Sequence, residues 1–195
     1  MTELELETPR LTLRRFVPED APFVVTLLND AAFLRFIGDR GVRTPDDALG
    51  WIANGPAASY ARHGHGLYLV SRRDDGVPIG ICGVLRRDNL PDPDLGFAFL
   101  PEFRSQGYGL AAATAALRQA REALGIGRIA AVVSPDNVAS IGLLRKLGFV
   151  HEGMVRMAED EAEIELHVNQ PGVASESGEP SLAAGPIAPP RGNGR

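Results

Sequence analysis

One short segment narrows the choice of fold sharply. Phe97-Ala98-Phe99-Leu100 reads as the end of a β-strand and Pro101 stops it. Glu102-Phe103-Arg104-Ser105-Gln106 then leads to Gly107 and Gly109, two apart at the start of a long helical pattern. A helix start leaves its first backbone N–H groups without intrahelical partners and carries a partial positive charge, and glycine lets a ligand approach that backbone because no Cβ intervenes. Two readings fit: a pyrophosphate cradle, or simply a tight strand-to-helix connection. No Gly-Lys-Ser/Thr follows and the three-glycine dinucleotide fingerprint is missing, so neither familiar nucleotide loop is present.

Strand and helix signals alternate on both sides of this segment. Residues 11–16 alternate apolar and polar side chains as a half-buried strand does. Pro18-Glu19-Asp20 opens a helix to Asn29 with Phe23, Val24, Leu27 and Leu28 on one side. A second helix begins at Thr44: Pro45 takes its first position, Asp46 and Asp47 suit the positive end of the dipole, and Trp51 and Ile52 fall on the buried face. Strands over 66–72 and 77–84 are joined by Arg73-Asp74-Asp75-Gly76, whose Asp-Gly pair signals a hairpin. A strand over 95–100 precedes a helix over 107–124 with Leu110, Ala113, Thr114, Leu117, Ala120 and Leu124 on one stripe. Ile129–Val133 is fully apolar, as in a strand buried on both faces. Pro135-Asp136-Asn137 leads into a helix over 138–147 closed by Gly148, and strands follow over 149–155 and 163–168. In the last, Ile164, Leu166 and Val168 alternate with Glu163, Glu165 and His167, which predicts one wet face. The order is mixed α/β (α+β), a hairpin sheet followed by strand-helix-strand-helix.

The 195 residues, 44% of them hydrophobic, suffice for one core, placed over 1–168. Residues 170–195 hold five Pro and five Gly with no aromatic, which predicts a disordered tail over 169–195. A net charge of -5 gives no general pull toward nucleic acid or anionic membrane. No stretch approaches the roughly 18 apolar residues of a membrane span, and Met1-Thr2-Glu3-Leu4-Glu5 lacks a signal-peptide pattern. The single cysteine, Cys82, lies in an apolar run, so no intramolecular disulfide or cysteine metal cluster is expected and a cytoplasmic setting suits the chain. His63-Gly64-His65-Gly66 reads as a polar turn without a carboxylate companion, and no metal site is expected.

Arg104-Ser105-Gln106-Gly107-Tyr108-Gly109 resembles the Gln/Arg-x-x-Gly-x-Gly/Ala signature of the GNAT superfamily of acetyl-CoA-dependent N-acetyltransferases. Asn137-Val138-Ala139-Ser140, followed by Leu143, Leu144, Lys146, Leu147, Gly148 and Phe149, is similar to that family's Asn-x-x-Ser and Leu-x-Lys-Leu-Gly-Phe helix. Thr8-Pro9-Arg10-Leu11-Thr12-Leu13-Arg14-Arg15-Phe16, with Asp20, resembles the opening of the RimJ/RimL branch, which acetylates α-amino groups of ribosomal proteins. The resemblance implies a mostly antiparallel central sheet flanked by helices, with a splayed pair of parallel strands holding the pantetheine arm of acetyl-CoA. It implies that backbone near Phe99 and Leu100 bonds the pantetheine amides, that Arg104, Ser105, Gln106, Gly107, Tyr108 and Gly109 hold the pyrophosphate, and that Asn137 and Ser140 face the pantetheine and the sulfur. As ordinary residues, Asn137 and Ser140 read as a helix cap and a solvated position.

Acetyl transfer from a thioester to a neutral amine needs no covalent enzyme intermediate; it needs a free amine, an oxyanion donor and a proton for the thiolate. The resemblance makes Asp94, just before Leu95-Gly96-Phe97, the candidate base, although Pro91-Asp92-Pro93-Asp94 also reads as a turn. Many relatives place an acidic tyrosine where this chain has Leu144, which leaves Ser140 or solvent to serve the sulfur. The expected acceptor is a protein N-terminus or a small-molecule amine, walled by residues 29–51 and the last strands. The acidic run Glu159, Asp160, Glu161 and Glu163 could attract a cationic acceptor. A monomer or homodimer is expected. A sensor module that binds acyl-CoA without turnover, and transfer of a longer acyl group, are the rival readings.

Overall fold

The computed structural model describes residues 6–158 and 162–171. The tail expected over 169–195 therefore falls largely outside the described residues, as do Glu159, Asp160 and Glu161.

The chain opens with an unpredicted short strand, β1 (Leu6–Glu7), paired antiparallel with β2 (Leu11–Arg14). Arg14 then fixes the turn into the helices: its Nη1 and Nη2 each donate to the buried Asp20 carboxylate at 2.8 Å, and the Val17 N–H donates to the same group. The helices are α1 (Ala21–Leu28), α2 (Ala31–Phe36), α3 (Pro45–Ile52) and α4 (Ala58–His63). α3 carries the expected start, with Thr44 and Asp47 capping each other's backbone N–H groups. α2 and α4 were not legible, being only six residues each, and a single π-type turn containing Pro56 joins α3 to α4.

Strands β3 (Leu67–Arg72), β4 (Pro78–Leu85) and β5 (Asp94–Phe99) form an antiparallel meander. Helix α5 (Tyr108–Glu122) then crosses over to β6 (Ile129–Val133), which lies parallel to β5, as that connection requires. After α6 (Val138–Lys146), β7 (Val150–Val155) and β8 (Ile164–Asn169) complete one eight-stranded sheet in the order β1-β2-β3-β4-β5-β6-β8-β7.

The wet face expected of the last strand holds only at its start: β8 lies between β6 and β7, Glu163 just before it is exposed, but His167 is 2% exposed with Nε2 2.7 Å from Glu165 Oε2, and β7 takes the sheet edge. Asn169, assigned to the tail by composition, is the last residue of β8 and donates from Nδ2 to Leu147 O at 2.8 Å.

The sheet is packed on both faces. On one, α5 lays a carpet of buried alanines, with Leu117, against Leu11, Leu13, Val70, Ile79 and Val84; these small side chains let the helix axis approach the strands closely. Leu124, placed on that stripe by periodicity, is 39% exposed because the helix ends at Glu122, and Thr114 is exposed too. On the other face, Val24, Leu27, Leu28, Phe33, Ala48 and Ile52 of α1–α3 form a second core with Ile81.

Candidate active site

β5 and β6 pair at a single position, Asp94 opposite Ala130, locked by the Ala130 N–H donating to Pro93 O at 2.8 Å. Beyond it the strands part, although β5 stays paired with β4 along its whole length. From Leu95 onward the β5 edge that faces β6 therefore has no ladder partner, and an extended polar chain can complete it. The opening belongs to a cleft of about 1140 Å³ that runs from the loop after β5 to Asp94. Phe97 and Phe99 of β5, Val132 and Val133 of β6, and Asn137, Ser140 and Leu143 around α6 line it on the splay side.

The loop between β5 and α5 has the backbone of a helix-terminal anion site. Gly107 caps α5 with φ +80°, and Ser105 takes φ 59°, both left-handed. The first bond of the helix runs from Ala111 N–H to Gly107 O at 3.1 Å, so the preceding N–H groups have no partner inside the helix. A Cβ on Gly107 would lie 3.2 Å from Arg10 Nη2, and one on Gly109 3.2 Å from Leu143 Cδ2. A side chain at either glycine would crowd these neighbours, and bare backbone at a helix start suits an anion.

Arg10 reaches this loop from before β2. Its Nη2 donates to Gln106 O at 2.9 Å, and its guanidinium stacks on the Tyr108 ring, 4.5 Å from the centroid. Nothing in the sequence links residue 10 to residue 106; the sheet joins them. Arg104 is committed elsewhere: its Nε donates to Phe99 O at 2.8 Å, and its Nη2 pairs with Asp30, the residue that also caps α2.

At the other end of the cleft, Asp94 is 1% exposed, with Arg87 Nε 3.1 and 3.0 Å from its two oxygens. Burial pushes its carboxyl above the usual carboxylate range, and the charge of Arg87 opposes that shift. Asn137 accepts the Ser140 N–H on Oδ1 at 3.2 Å, the cap that an ordinary reading of these residues foresaw, and both residues also line the cleft. Cys82 is fully buried outside the lining, and burial pushes its thiol up to about 12. That removes it as a nucleophile at neutral pH.

Of the residues singled out in the sequence, Asp94, Phe99, Arg104, Ser105, Gly107, Gly109, Asn137 and Ser140 share the cleft. Leu100, Gln106 and Tyr108 do not line it: Leu100 packs against the α1–α3 core, Gln106 turns its amide back to Glu102 O, and Tyr108 packs between Arg10 and Phe103.

These features meet in one known family. Residues 10–150 match the family model described as an acetyltransferase (GNAT) domain. The chain belongs to the GNAT acetyltransferases. A Bacillus subtilis (strain 168) relative named as the uncharacterized N-acetyltransferase YoaA is 30% identical over 152 residues, covering 77% of this chain and 85% of the relative. YnaD of the same organism, named likewise, is 25% identical over 153 residues, covering 78% and 86%. Among solved structures, a RimL ribosomal L7/L12 α-N-protein acetyltransferase in complex with coenzyme A superposes with a TM-score of 0.74 at 18% identity, covering 86% of this chain and 98% of that one. An acetyltransferase from Agrobacterium tumefaciens str. C58 gives 0.73 at 22% identity, covering 87% and 96%. At such identities the two structures speak for the fold alone.

The wall of this GNAT cleft opposite the splay matches expectation in part. Asp30, Phe33, Phe36, Ile37, Arg40 and Trp51, all within 29–51, line it. Among the described residues the last two strands contribute nothing to the lining, and Glu163 sits 3.7 Å from Arg156 instead. Arg62, His63, Arg86 and Arg87, which the sequence did not single out as cleft residues beyond a polar turn at His63, complete this wall. His65 lies in the turn from α4 to β3 that the sequence suggested, but it is only 9% exposed, with Nδ1 2.8 Å from Val84 O. A register linking β3 to β4 was the signal needed to find this wall, and the hairpin at 73–76 alone does not give it. Among the described residues no helix is long and apolar enough to cross a membrane.

Proposed function

We propose that this enzyme moves the acetyl group of acetyl-CoA directly to a primary amine, the α-amine of a protein N-terminus or that of a small molecule, in the manner of the RimJ/RimL branch. The observation that carries this reading is the splay between β5 and β6, open from the glycine loop to Asp94 within one cleft. Support for the co-substrate comes from the coenzyme A named with the RimL structure of the same fold.

In this reading the loop from Arg104 to Gly109 holds the pyrophosphate through its backbone N–H groups, with Arg10 bracing it. The edge of β5 that β6 leaves unladdered near Phe99 bonds the pantetheine amides, Phe99 O with the lone pair not taken by Arg104, and Asn137 and Ser140 face the pantetheine and the sulfur. The thioester supplies an acyl group already activated toward a neutral amine. Ser140 hydrogen-bonds the departing thiolate, because Leu144, 1% exposed, offers no proton. Asp94 takes the amine proton as general base. An α-amine with a pKa near 8 costs about 1.4 kcal/mol to neutralise at pH 7, against more than about 4 kcal/mol for a lysine near 10.4, so a modest base serves the α-amine better.

Calorimetric titration with acetyl-CoA, followed by a thiol-release screen over peptides with free N-termini, amino acids, polyamines and aminoglycosides, tests the proposal. Binding with release on one amine class is the expected result. Binding without release on any amine would leave an acyl-CoA-binding module, and no binding would end the proposal.

A further inference from the structure

The cleft is cationic although the chain as a whole is acidic. Its described lining holds six cationic side chains, Arg40, Arg62, Arg86, Arg87, Arg104 and Lys146, against two carboxylates, Asp30 and Asp94, in a chain of formal net charge -5. Both carboxylates are matched one to one within the protein, Asp30 by Arg104 and Asp94 by Arg87. The surplus is positive, and a surplus lining a cleft draws an anion into it.

The phosphate loop accounts for cations at one end only. β5 covers six residues from Asp94 to Phe99, and at about 3.3 Å per residue Asp94 lies roughly 16 Å from the loop end. Arg62 and Arg86 belong to the Asp94 end. Leu85 pairs with Asp94, so Arg86 is the next residue beyond that pair. Leu67 pairs with Gly83 and His65 Nδ1 meets Val84 O, so the end of α4 that carries Arg62 runs beside the end of β4. Both arginines are exposed cleft residues, and neither guanidinium has an ion-pair or hydrogen-bond partner among the described residues.

We propose that the acceptor is an amine that also carries a carboxylate, the chemistry shared by a free amino acid and by a peptide with an acidic first residue, and that Arg62 and Arg86 hold its carboxylate. This rests on the acetyl-transfer reading above and narrows its substrate. Guanidinium and carboxylate pair through parallel charge-assisted hydrogen bonds, which fix orientation as well as position. With the carboxylate held there, the amine is presented to Asp94 and the apex of the splay. A cationic acceptor, of the kind the acidic run near Glu163 suggests from sequence, meets repulsion from the same wall.

The test uses the full chain, acetyl-CoA and thiol release over matched acceptors: free amino acids and their carboxamides, peptides starting with Asp or Glu and their Asn or Gln counterparts, and aliphatic diamines. The acid of a matched pair is expected to exceed its amide in kcat/KM by about 10- to 100-fold, the range for a hydrogen bond to a charged group. Arg62→Ala and Arg86→Ala should each cut that preference about tenfold, raising KM for the acid much more than KM for the amide, whose carbonyl makes only neutral hydrogen bonds to the same groups. The free and peptide arms then tell which source supplies the carboxylate. Equal turnover of acid and amide, or a preference for diamines, overturns the proposal while the acetyl-transfer reading stands, and this comparison needs only the unmodified protein. A preference that survives both substitutions removes the assignment to these arginines. Silence on acid, amide and diamine alike overturns the acetyl-transfer reading and this proposal with it.

Discussion

At the scale of single residues, the proposed base is a carboxylate held in two opposing ways. Asp94 is buried, which raises its pKa, and touches Arg87, which lowers it, with burial the larger effect. A base whose pKa lies above the ordinary 3.9 or so stays protonated to a higher pH, so kcat/KM should fall on the acid side through that raised value. Asp94→Asn is expected to remove this acid limb and lower kcat by about 100-fold while acetyl-CoA affinity is kept. A pH-rate profile unchanged by the substitution would exclude Asp94 as the base. The same shift has a stability consequence with a definite sign. The folded state holds the Asp94 proton more tightly than the unfolded chain, so its contribution is present in full below about 3.9 and is lost as pH rises through the folded pKa. The stability of the wild type relative to the Asn variant should therefore fall across that window in denaturant titrations. Gly107 makes the matching prediction for the loop. Its left-handed backbone costs most L-residues roughly 1–2 kcal/mol, and Gly107→Glu adds a carboxylate beside the proposed phosphate site. Calorimetry should show loss of coenzyme A binding in a variant whose circular dichroism is native; unchanged affinity would remove the loop from the site.

Elements set where these residues stand, and β4 is the clearest case. It runs between β3 and β5, and its glycines admit close backbone neighbours: a Cβ on Gly83 would lie 2.1 Å from Gly66 O, and one on Gly80 2.5 Å from both Ala98 O and the Phe99 ring. Phe99 thus owes its place in the cleft partly to the missing side chain at Gly80. Gly83→Ala should cost about 3 kcal/mol, the upper range for overpacking, and lower Tm by roughly 10 °C. Gly50, inside α3 with nothing within 4 Å of its Cβ position, gives the opposite sign. Gly50→Ala should stabilise by about 0.5–1 kcal/mol through helix propensity, so paired melting curves read both effects with one chemical change.

For the whole molecule, the described part of the chain holds two cores, and its most C-terminal side-chain tie among the described residues is Gln170 Oε1, which accepts from Arg128 Nη1 at 3.4 Å. Truncation after Gln170 is expected to leave Tm and acetyl-CoA affinity unchanged in calorimetry; a loss of either would give the C-terminal segment a role in the fold or the cleft. The limits of sequence reading follow from the range of each interaction. Caps, hairpin turns and apolar periodicity act over a few residues, so the strands at 66–72 and 77–84, the Thr44 start, the all-apolar β6 and the glycine loop with its helix were legible directly. The loop and the Asn137 helix, taken together, also carry the family resemblance in sequence alone. Short helices α2 and α4 left no periodic signal, and the wet face assigned to β8 holds at Glu163 but not at His167, whose burial against Glu165 depends on packing that local alternation does not carry. The cationic wall of Arg62, Arg86 and Arg87, the brace from Arg10 and the burial of Asp94 were decided by tertiary structure alone. Each joins residues that only sheet register brings within a few ångströms, and side-chain charge and desolvation act over that distance in space rather than along the chain.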